Sequence, residues 1–197
     1  MSRDRAKALA LAPNLESRPG ASGGRPAVCR DRETEGARRS AVTRGQFLFQ
    51  SADEGQELAL ALSVGCARPE QVAFGLNELL LNAVEHGNLE ISYAEKTKLV
   101  IAGTWAAEVQ RRLELAEYRA RRVVVDVDAV GDQVVFTIKD EGPGFAWEGY
   151  LELAAERATD PHGRGIALSM LMAFSSVTYQ GRGNEVVCTA ALAAAPP

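Results

Sequence analysis

The sequence predicts an α+β fold in which helices cover one face of a β-sheet. Two stretches before residue 90 have the apolar spacing of amphipathic helices. Beyond residue 122, two pairs of short runs alternate apolar and polar residues around glycine-containing turns, as the strands of β-hairpins do. No segment repeats another, which argues against a repeat architecture.

Composition and charge divide the chain into two parts. The 197 residues are 46% hydrophobic and 24% charged, close to a soluble globular average and enough for one domain. Residues 1–45 carry a net charge of +5 and residues 46–197 a net charge of −9, which together give −4. Residues 1–45 hold many prolines and glycines and few large apolar side chains, so we expect a disordered basic tail. Residues 46–197 are expected to form the folded domain.

Several classes of protein are disfavoured. No run approaches the roughly 18 to 20 apolar residues of a membrane helix, and no signal peptide is evident, so we expect a cytoplasmic protein without a membrane partner. The cysteines Cys29, Cys66 and Cys188 are far apart and odd in number, which fits neither a disulfide framework nor a zinc site. The basic tail has no aromatic residue to stack on bases, so a nucleic-acid partner is disfavoured.

The first elements of the domain follow from local signals. A strand-like run at residues 46–50 precedes a helical stretch from about 53 to 64. A second helix is expected to begin at residues 68–70, because proline is tolerated in the first helical turn and an acidic residue suits the helix dipole there. It should run to about Glu85, with Gly87 as its stop.

The second helix has two distinct faces. At 100° per residue, the apolar residues from Val72 to Val84 form one broad stripe that should face the core. The opposite, polar face is expected to consist of Asn77, Glu78, Asn82, Glu85 and His86.

The second half of the chain changes period. Residues 91–122 look helical and rich in arginine, and they form either a partner-binding insertion or a solvated helix at the edge of the domain. Residues 123–128 and 133–139 alternate as the two strands of a hairpin. After a linker, the chain is expected to form a helix over about 166–174. A second hairpin then pairs residues 176–180 with 185–192 around a glycine-containing turn.

The first feature that could carry chemistry lies on the second helix. Glu78, Asn82 and His86 are spaced four apart and therefore share one helix face. Such a face could present a carboxylate that takes a proton, an amide oxygen that binds Mg²⁺ and an imidazole beside a phosphate. Taken alone, the same spacing also fits a solvated polar face.

Two glycine-containing segments could complete a nucleotide site. Asp140 ends a predicted strand and is followed by Gly142 and Gly144, a pattern that is by itself more typical of a turn. Residues 162–165, which read His-Gly-Arg-Gly, lead into a helix whose N-terminal N–H groups favour an anion. Neither segment completes a P-loop or the GxGxxG pattern of dinucleotide-binding folds.

In this order and spacing, the three features resemble the N, G1 and G2 boxes of the GHKL ATPase superfamily. Gyrase, mismatch-repair ATPases, heat-shock chaperones and histidine kinases share that fold, a two-layer α/β sandwich whose mixed sheet is covered by helices on one face. The pattern ExxxNAxxHG followed by DEGPGF is most similar to bacterial anti-sigma factor serine-protein kinases. The resemblance covers about residues 46–192.

The resemblance implies roles for the first two boxes. Glu78 matches the general base, and Asn82 matches the Mg²⁺ ligand that bridges the metal to the ATP phosphates. Asp140 matches the carboxylate that accepts a hydrogen bond from the adenine amino group. Gly142 and Gly144 match the glycines that shape the adenine pocket.

The resemblance also implies roles for five further residues around the nucleotide. Gly163 and Gly165 match the loop on the phosphate side. Arg164 and His86 would add positive or hydrogen-bond-donating groups there. Thr189, on the last strand, matches a threonine that the family often places near the adenine.

The function implied by the resemblance is a regulatory serine/threonine protein kinase that binds ATP together with Mg²⁺. Its substrate would be a small regulator protein, either an anti-sigma antagonist or a sigma-factor-like partner, and a homodimer is compatible with the family. Two alternatives stay open. One is the catalytic domain of a histidine kinase that lacks its own phosphoacceptor, and the other is a module that binds ATP without turnover.

Overall fold

The computed structural model describes residues 43–145 and 173–194, which form helices on one side of a five-stranded sheet. In chain order the elements are β1 (Arg44–Phe49), α1 (Ala52–Ser63), α2 (Pro69–Asn82) with a π-helical turn (Ala83–Asn88), α3 (Tyr93–Ile101), α4 (Trp105–Glu114), β2 (Val123–Val130), β3 (Gln133–Lys139), β4 (Ser176–Gln180) and β5 (Glu185–Ala191). The predicted α+β class is confirmed. Most of the predicted tail, the linker at 146–161, residues 162–165 and most of the 166–174 helix lie outside the described residues.

The sheet has the strand order β1-β2-β3-β5-β4. Every pairing between the described strands is antiparallel, so the expectation of a mixed sheet is corrected for this part of the chain. Hairpins join β2 to β3 and β4 to β5, and antiparallel pairing is what a short turn permits. Because β5 pairs with β3, the turn before β5 lies beside the end of β3. This neighbourhood is where the cavity described below is found.

The first helix begins at a capping box. The Ser51 hydroxyl accepts a hydrogen bond from the backbone N–H of Glu54, and the Glu54 carboxylate accepts one from the backbone N–H of Ser51. Two N–H groups that the helix cannot pair are satisfied in this way. The predicted helix over 53–64 is therefore confirmed to within about a residue.

The core lies between α1, α2 and one face of the sheet. Leu76 and Leu80 of α2 are fully buried and belong to the same apolar cluster as Val125 and Phe136 of the central strands. Along β2 and β3 buried and less buried residues alternate, so only one face of each strand joins this cluster. The apolar stripe predicted for the second helix is the face that it buries.

The end of the second helix differs from the sequence-based expectation. Gly87 does not stop the helix, because the chain continues from α2 through the π-helical turn as far as Asn88. The backbone N–H of Leu89 reaches the carbonyl of Val84, an i to i−5 bond. Glu85, expected on a solvated face, is only 3% exposed and pairs with Lys96 Nζ at 2.5 Å. The hairpin formed by α3 and α4 covers this part of the face.

Residues 91–122 form two helices followed by an irregular connection to β2. Gly103, with φ of 69°, separates α3 from α4, in a left-handed conformation that glycine adopts without strain. The helical prediction for this segment is confirmed for the stretches 93–101 and 105–114. Within the described residues, no helix is long and apolar enough to cross a membrane.

Candidate functional site

A cavity of about 420 Å³ opens where the end of α2, the end of β3 and the β4–β5 turn meet. Its volume lies in the usual range for small-molecule sites, and most of its wall is apolar or aromatic. Three of the predicted polar residues, Asn82, His86 and Asp140, reach its surface. The apolar and aromatic part of the wall includes Leu79, Ile91, Tyr93, Ile138, Phe145, Tyr179 and Val186.

Asp140 is held firmly at this cavity. Its backbone N–H donates to the carbonyl of Asn184 at 3.0 Å, and its carbonyl accepts from Asn184 Nδ2 at 2.8 Å. Its carboxylate oxygen Oδ1 accepts from the backbone N–H of Gly142 at 2.8 Å. Burial raises the pKa of Asp140 to about 6, although the Gly142 N–H and the charges of Arg182 and Arg121 lower it.

Two glycines allow the motif at the end of α2 to touch the motif after β3. A Cβ at Gly87 would lie 2.4 Å from Cγ of Asp140, and a Cβ at Gly142 would lie 2.2 Å from the carbonyl oxygen of Gly87. Both distances are far shorter than real contacts permit. Beside them, Asn88 Oδ1 accepts the backbone N–H of Glu141 at 2.7 Å. The structure therefore brings the first two predicted boxes into direct contact.

The charge and hydrogen-bonding role of His86 differ from those that the resemblance implied. Its Nδ1 contacts the carbonyl oxygen of Ile91, and since a carbonyl only accepts, Nδ1 carries the hydrogen. Burial lowers the pKa of His86, which favours the neutral ring. Nε2 is buried without a hydrogen-bond partner among the described residues. Within this part of the chain, His86 therefore offers a buried acceptor rather than a positive or donating group, and its ring lies 3.9 Å from that of Tyr93.

Glu78 and Asn82 keep the spacing of one helical turn. Both lie on α2 and are partly exposed, but only Asn82 reaches the cavity. Glu78 lies one helical turn towards the N-terminus of α2 and is not among the described residues that line the cavity. The row of three does not extend to His86, because the π-helical turn interrupts the regular spacing after Asn82.

The turn between β4 and β5 supports the loop that follows Asp140. Arg182 Nη2 donates to the carbonyl of Gly142 at 2.9 Å, and the carbonyl of Arg182 accepts the backbone N–H of Phe145 at 2.9 Å. A Cβ at Gly144, whose φ is 80°, would lie 2.1 Å from that same carbonyl oxygen. Gly144 is thus needed both for its backbone conformation and for this close approach.

The family follows from comparison with known sequences. The profile of the histidine kinase-like ATPase domain matches residues 54–190, well over half of the chain. This chain belongs to the histidine kinase-like ATPase family. A search of curated proteins finds no match. The matched range contains both boxes that meet at the cavity, so this histidine kinase-like ATPase carries an ATP-binding domain of the GHKL type.

The cavity of this histidine kinase-like ATPase suits the adenine end of ATP. Adenine has flat apolar faces and an exocyclic amino group at its edge. The aromatic rings of Tyr93 and Phe145 and the side chain of Ile138 provide apolar walls for such a ring. The Asp140 carboxylate could accept a hydrogen bond from such an amino group. One hydrogen bond to the carboxylate and two to the backbone of Asp140 hold this residue in place.

The phosphate side of the site falls outside the described part of the chain. Gly163, Arg164 and Gly165 lie outside the described residues, as does the linker at 146–161, so the roles predicted for them stay predictions. Among the described residues that line the cavity, Asn82 is the one that the resemblance assigns as a metal ligand. Its side-chain amide has an oxygen of the kind that Mg²⁺ prefers, and a single protein oxygen leaves the other positions to phosphates and water.

Thr189 is not among the described residues that line the cavity. It pairs with Val135 and Ser176 in the middle of the sheet. The cavity-lining residues of β5 are Glu185 and Val186, at the start of the strand. The role near the adenine that the resemblance implies for Thr189 stays a prediction.

Two residues of the site were missed from the sequence. Asn184 fixes the backbone of Asp140, and Arg182 supports the loop after it. A sequence signal was present, since both belong to the glycine-containing turn of the predicted second hairpin. Placing that turn next to Asp140 required the pairing of β3 with β5, which the sequence pattern alone does not supply.

Proposed function

We propose that this histidine kinase-like ATPase is a regulatory protein kinase of the anti-sigma type. It transfers the γ-phosphoryl group of ATP to a serine or threonine of a small partner, either a sigma-factor-like regulator or its antagonist. The observation that supports this most is the position of Glu78. It lies on α2 one helical turn before Asn82, and Asn82 lines the cavity together with Asp140.

The roles of the residues follow from the chemistry of phosphoryl transfer. Glu78 takes the proton of the serine or threonine hydroxyl while the hydroxyl oxygen forms a bond to the γ-phosphorus. The bond from the γ-phosphorus to the bridging oxygen breaks, and ADP leaves with that electron pair. A Mg²⁺ ion bound with the nucleotide would neutralise phosphate charge, and the amide oxygen of Asn82 would help to hold it.

The adenine end of the site anchors the nucleotide for this reaction. Asp140 binds the amino group and so fixes the depth of the ring in the cavity. His86, as a neutral ring, contributes an acceptor and no positive charge within the described residues. In phosphoryl transfer the protein contributes mainly by positioning the reactants, because its side chains take little part in the covalent chemistry.

A labelling experiment tests the proposal. The chain is incubated with γ-labelled ATP, Mg²⁺ and the proteins that co-purify with it, and phosphosites are located by mass spectrometry. Glu78→Gln should slow the labelling of serine or threonine by at least about 10²-fold, the usual contribution of a placed base, while ATP affinity measured by calorimetry stays within about twofold. Glu70→Gln is the matched control, because Glu70 is exposed in the first turn of the same helix.

Three results would contradict the proposal. Undiminished labelling in Glu78→Gln would remove the assigned base. Label on a histidine would favour the catalytic domain of a histidine kinase. Tight ATP binding without transfer to any co-purifying protein and without phosphate release would favour an ATP-binding module that does not turn the nucleotide over.

A further inference from the structure

The α3–α4 hairpin and its connection to β2 place three cationic groups against the end of the nucleotide-binding helix. Lys96 Nζ lies 2.5 Å from a carboxylate oxygen of the buried Glu85. Arg112 Nη1 donates to the carbonyl of Leu89 at 2.7 Å. Arg121 Nη1 donates to the carbonyl of Asn88 at 2.8 Å and to the Glu90 carboxylate at 2.7 Å.

These contacts do the work of a C-terminal helix cap. The last carbonyls of a helix have no N–H partner within the helix and carry the negative end of its dipole. A glycine in left-handed conformation is the common solution, but Gly87 does not have a positive φ. Backbone N–H groups of the following residues bond the carbonyls of Val84, Glu85 and Gly87. The guanidinium groups of Arg121 and Arg112 bond the next two carbonyls, those of Asn88 at the end of the π-helical turn and of Leu89 just after it.

The capped end is in turn the part of the helix that touches the adenine-binding loop. Gly87 packs against the carboxyl group of Asp140, and the Asn88 side chain accepts the N–H of Glu141. Glu90 lines the cavity with a positive φ of 55°, which is unusual for a residue other than glycine. Its carboxylate is bonded by Arg121, so the hairpin also holds this strained position.

The side chains of Arg112 and Arg121 are largely buried, which strengthens their hydrogen bonds to the helix end. The Arg112 side chain is 12% exposed and that of Arg121 is 20% exposed, so water and salt screen these bonds less than surface pairs. Arg111, the neighbour of Arg112, is 56% exposed and bonds only Glu108. Arg111 therefore shares the charge and helix of Arg112 without its contact to the nucleotide helix.

We propose that Arg112 and Arg121 are positioning residues of the nucleotide site. They hold the carbonyls of Leu89 and Asn88, and the end of the helix then keeps Gly87 and Asn88 against the loop that carries Asp140. The segment 91–122 is thus a structural part of ATP recognition, whatever else it binds. This inference rests on ATP binding in the cavity and not on phosphate transfer or on the identity of a partner.

Two pairs of variants test it. Arg112→Met is compared with Arg111→Met, and Arg121→Met with Arg122→Met, because the Arg122 side chain bonds only carbonyls of its own segment. Calorimetry with Mg²⁺ and ATP should show an affinity loss of about tenfold or more for Arg112→Met and Arg121→Met, as expected for a hydrogen bond to a charged group. The two controls should stay within about twofold of the unmodified chain.

Hydrogen exchange without nucleotide gives an independent reading. The N–H of Glu141, which bonds Asn88, should exchange faster in Arg112→Met and Arg121→Met than in their controls, while the central strands keep their protection. The exchange rate of Glu141 can be measured whether or not the unmodified chain binds ATP. If the unmodified chain does not bind ATP, that result counts against the cavity as a nucleotide site and not against the cap.

Contrary outcomes are equally clear. Affinity and Glu141 exchange equal to those of the controls would overturn the proposal. So would a loss of protection spread evenly over the domain, because the arginines would then serve general stability. If Arg112→Met does not fold, Arg121→Met decides the question, and Arg112→Lys, which retains a cation near Leu89, should recover part of the affinity.

Discussion

The carboxyl group of Asp140 lines the cavity, and its burial lowers the stability of the fold. Burial raises the pKa of this carboxyl to about 6 from an ordinary 3.8. The folded chain therefore binds a proton at this group more readily than the unfolded chain does. Because the raised pKa belongs to the folded state, this carboxylate opposes folding as the pH rises from about 4 to above 6. The same carboxylate is the acceptor that we propose for the adenine amino group.

Asp140→Asn should stabilise the fold and weaken ATP binding. Because burial raises the pKa from 3.8 to about 6, the ionised carboxylate costs the folded state at most about 3 kcal/mol. We therefore expect a gain of about 1–3 kcal/mol in the free energy of unfolding at pH 7.5. The gain should shrink towards pH 5, where Asp140 itself becomes protonated. Urea unfolding at the two pH values and calorimetry with ATP measure both effects.

Asp128→Asn is the control for this variant, because Asp128 is an exposed carboxylate that pairs with Arg44 on the sheet. Its effect should stay within about 0.5 kcal/mol, as for most surface substitutions. A stability loss in Asp140→Asn, or a gain that does not depend on pH, would contradict the assigned cost of burial.

Helix α2 and its π-helical turn serve two purposes along one continuous element. Its apolar face, centred on Leu76 and Leu80, is buried in the core, whereas Glu78 and Asn82 are partly exposed and Asn82 lines the cavity. At the end of the helix, Arg112 of α4 and Arg121 of the connection to β2 donate to the carbonyls of Leu89 and Asn88. These bonds add to the backbone hydrogen bonds that Leu89, Glu90 and Ile91 donate to the same turn.

Leu76→Ala should destabilise the domain by about 2–5 kcal/mol, the usual range for a fully buried leucine. Leu76 is 0% exposed, whereas Leu60 on α1 is 57% exposed and serves as the control. Leu60→Ala should cost less than about 1 kcal/mol, because most of its side chain is already in water. Equal losses in denaturant unfolding would show that α2 does not anchor the core.

The cavity joins three parts of the chain that are distant in sequence. The end of α2, the loop after β3 and the β4–β5 turn meet there, and each touches at least one of the others through a backbone hydrogen bond or a glycine contact. A ligand that contacts all three should therefore stabilise the domain as a unit. Adenine and guanine should differ, because guanine presents a carbonyl oxygen where adenine has its amino group.

Saturating ATP should raise the melting temperature. At a concentration of 100 times Kd, binding to the folded state alone contributes about 2.7 kcal/mol, which corresponds to about 5–10 °C for a domain of this size. GTP at the same concentration should give a clearly smaller shift, since a carboxylate and a carbonyl oxygen are both acceptors. Equal shifts for the two nucleotides in a thermal unfolding scan would contradict Asp140 as the base-recognising group.

The features predicted correctly are those that depend on near neighbours in sequence. The apolar stripe around Leu76 and the alternation in β2 and β3 each reflect a period that spans only a few residues. The spacing of Glu78 and Asn82 is of the same kind. Local geometry determines such features, so one sequence is enough to recognise them.

The features that were wrong or missed depend on contacts between distant segments. Glu85 is buried because the α3–α4 hairpin brings Lys96 to it, and Gly87 is glycine because Asp140 lies against it. Asn184 belongs to the site because β5 pairs with β3.

Sequence periodicity and motif order were therefore sufficient to predict the α+β class, which the structure confirms, and the ATPase family, which the profile match confirms. Which of the predicted site residues share a cavity, what charge they carry and what holds them in place depended on the tertiary structure. The reason is physical: the pKa of Asp140 and the cap on the nucleotide helix arise from burial and hydrogen bonds supplied by residues far away in sequence.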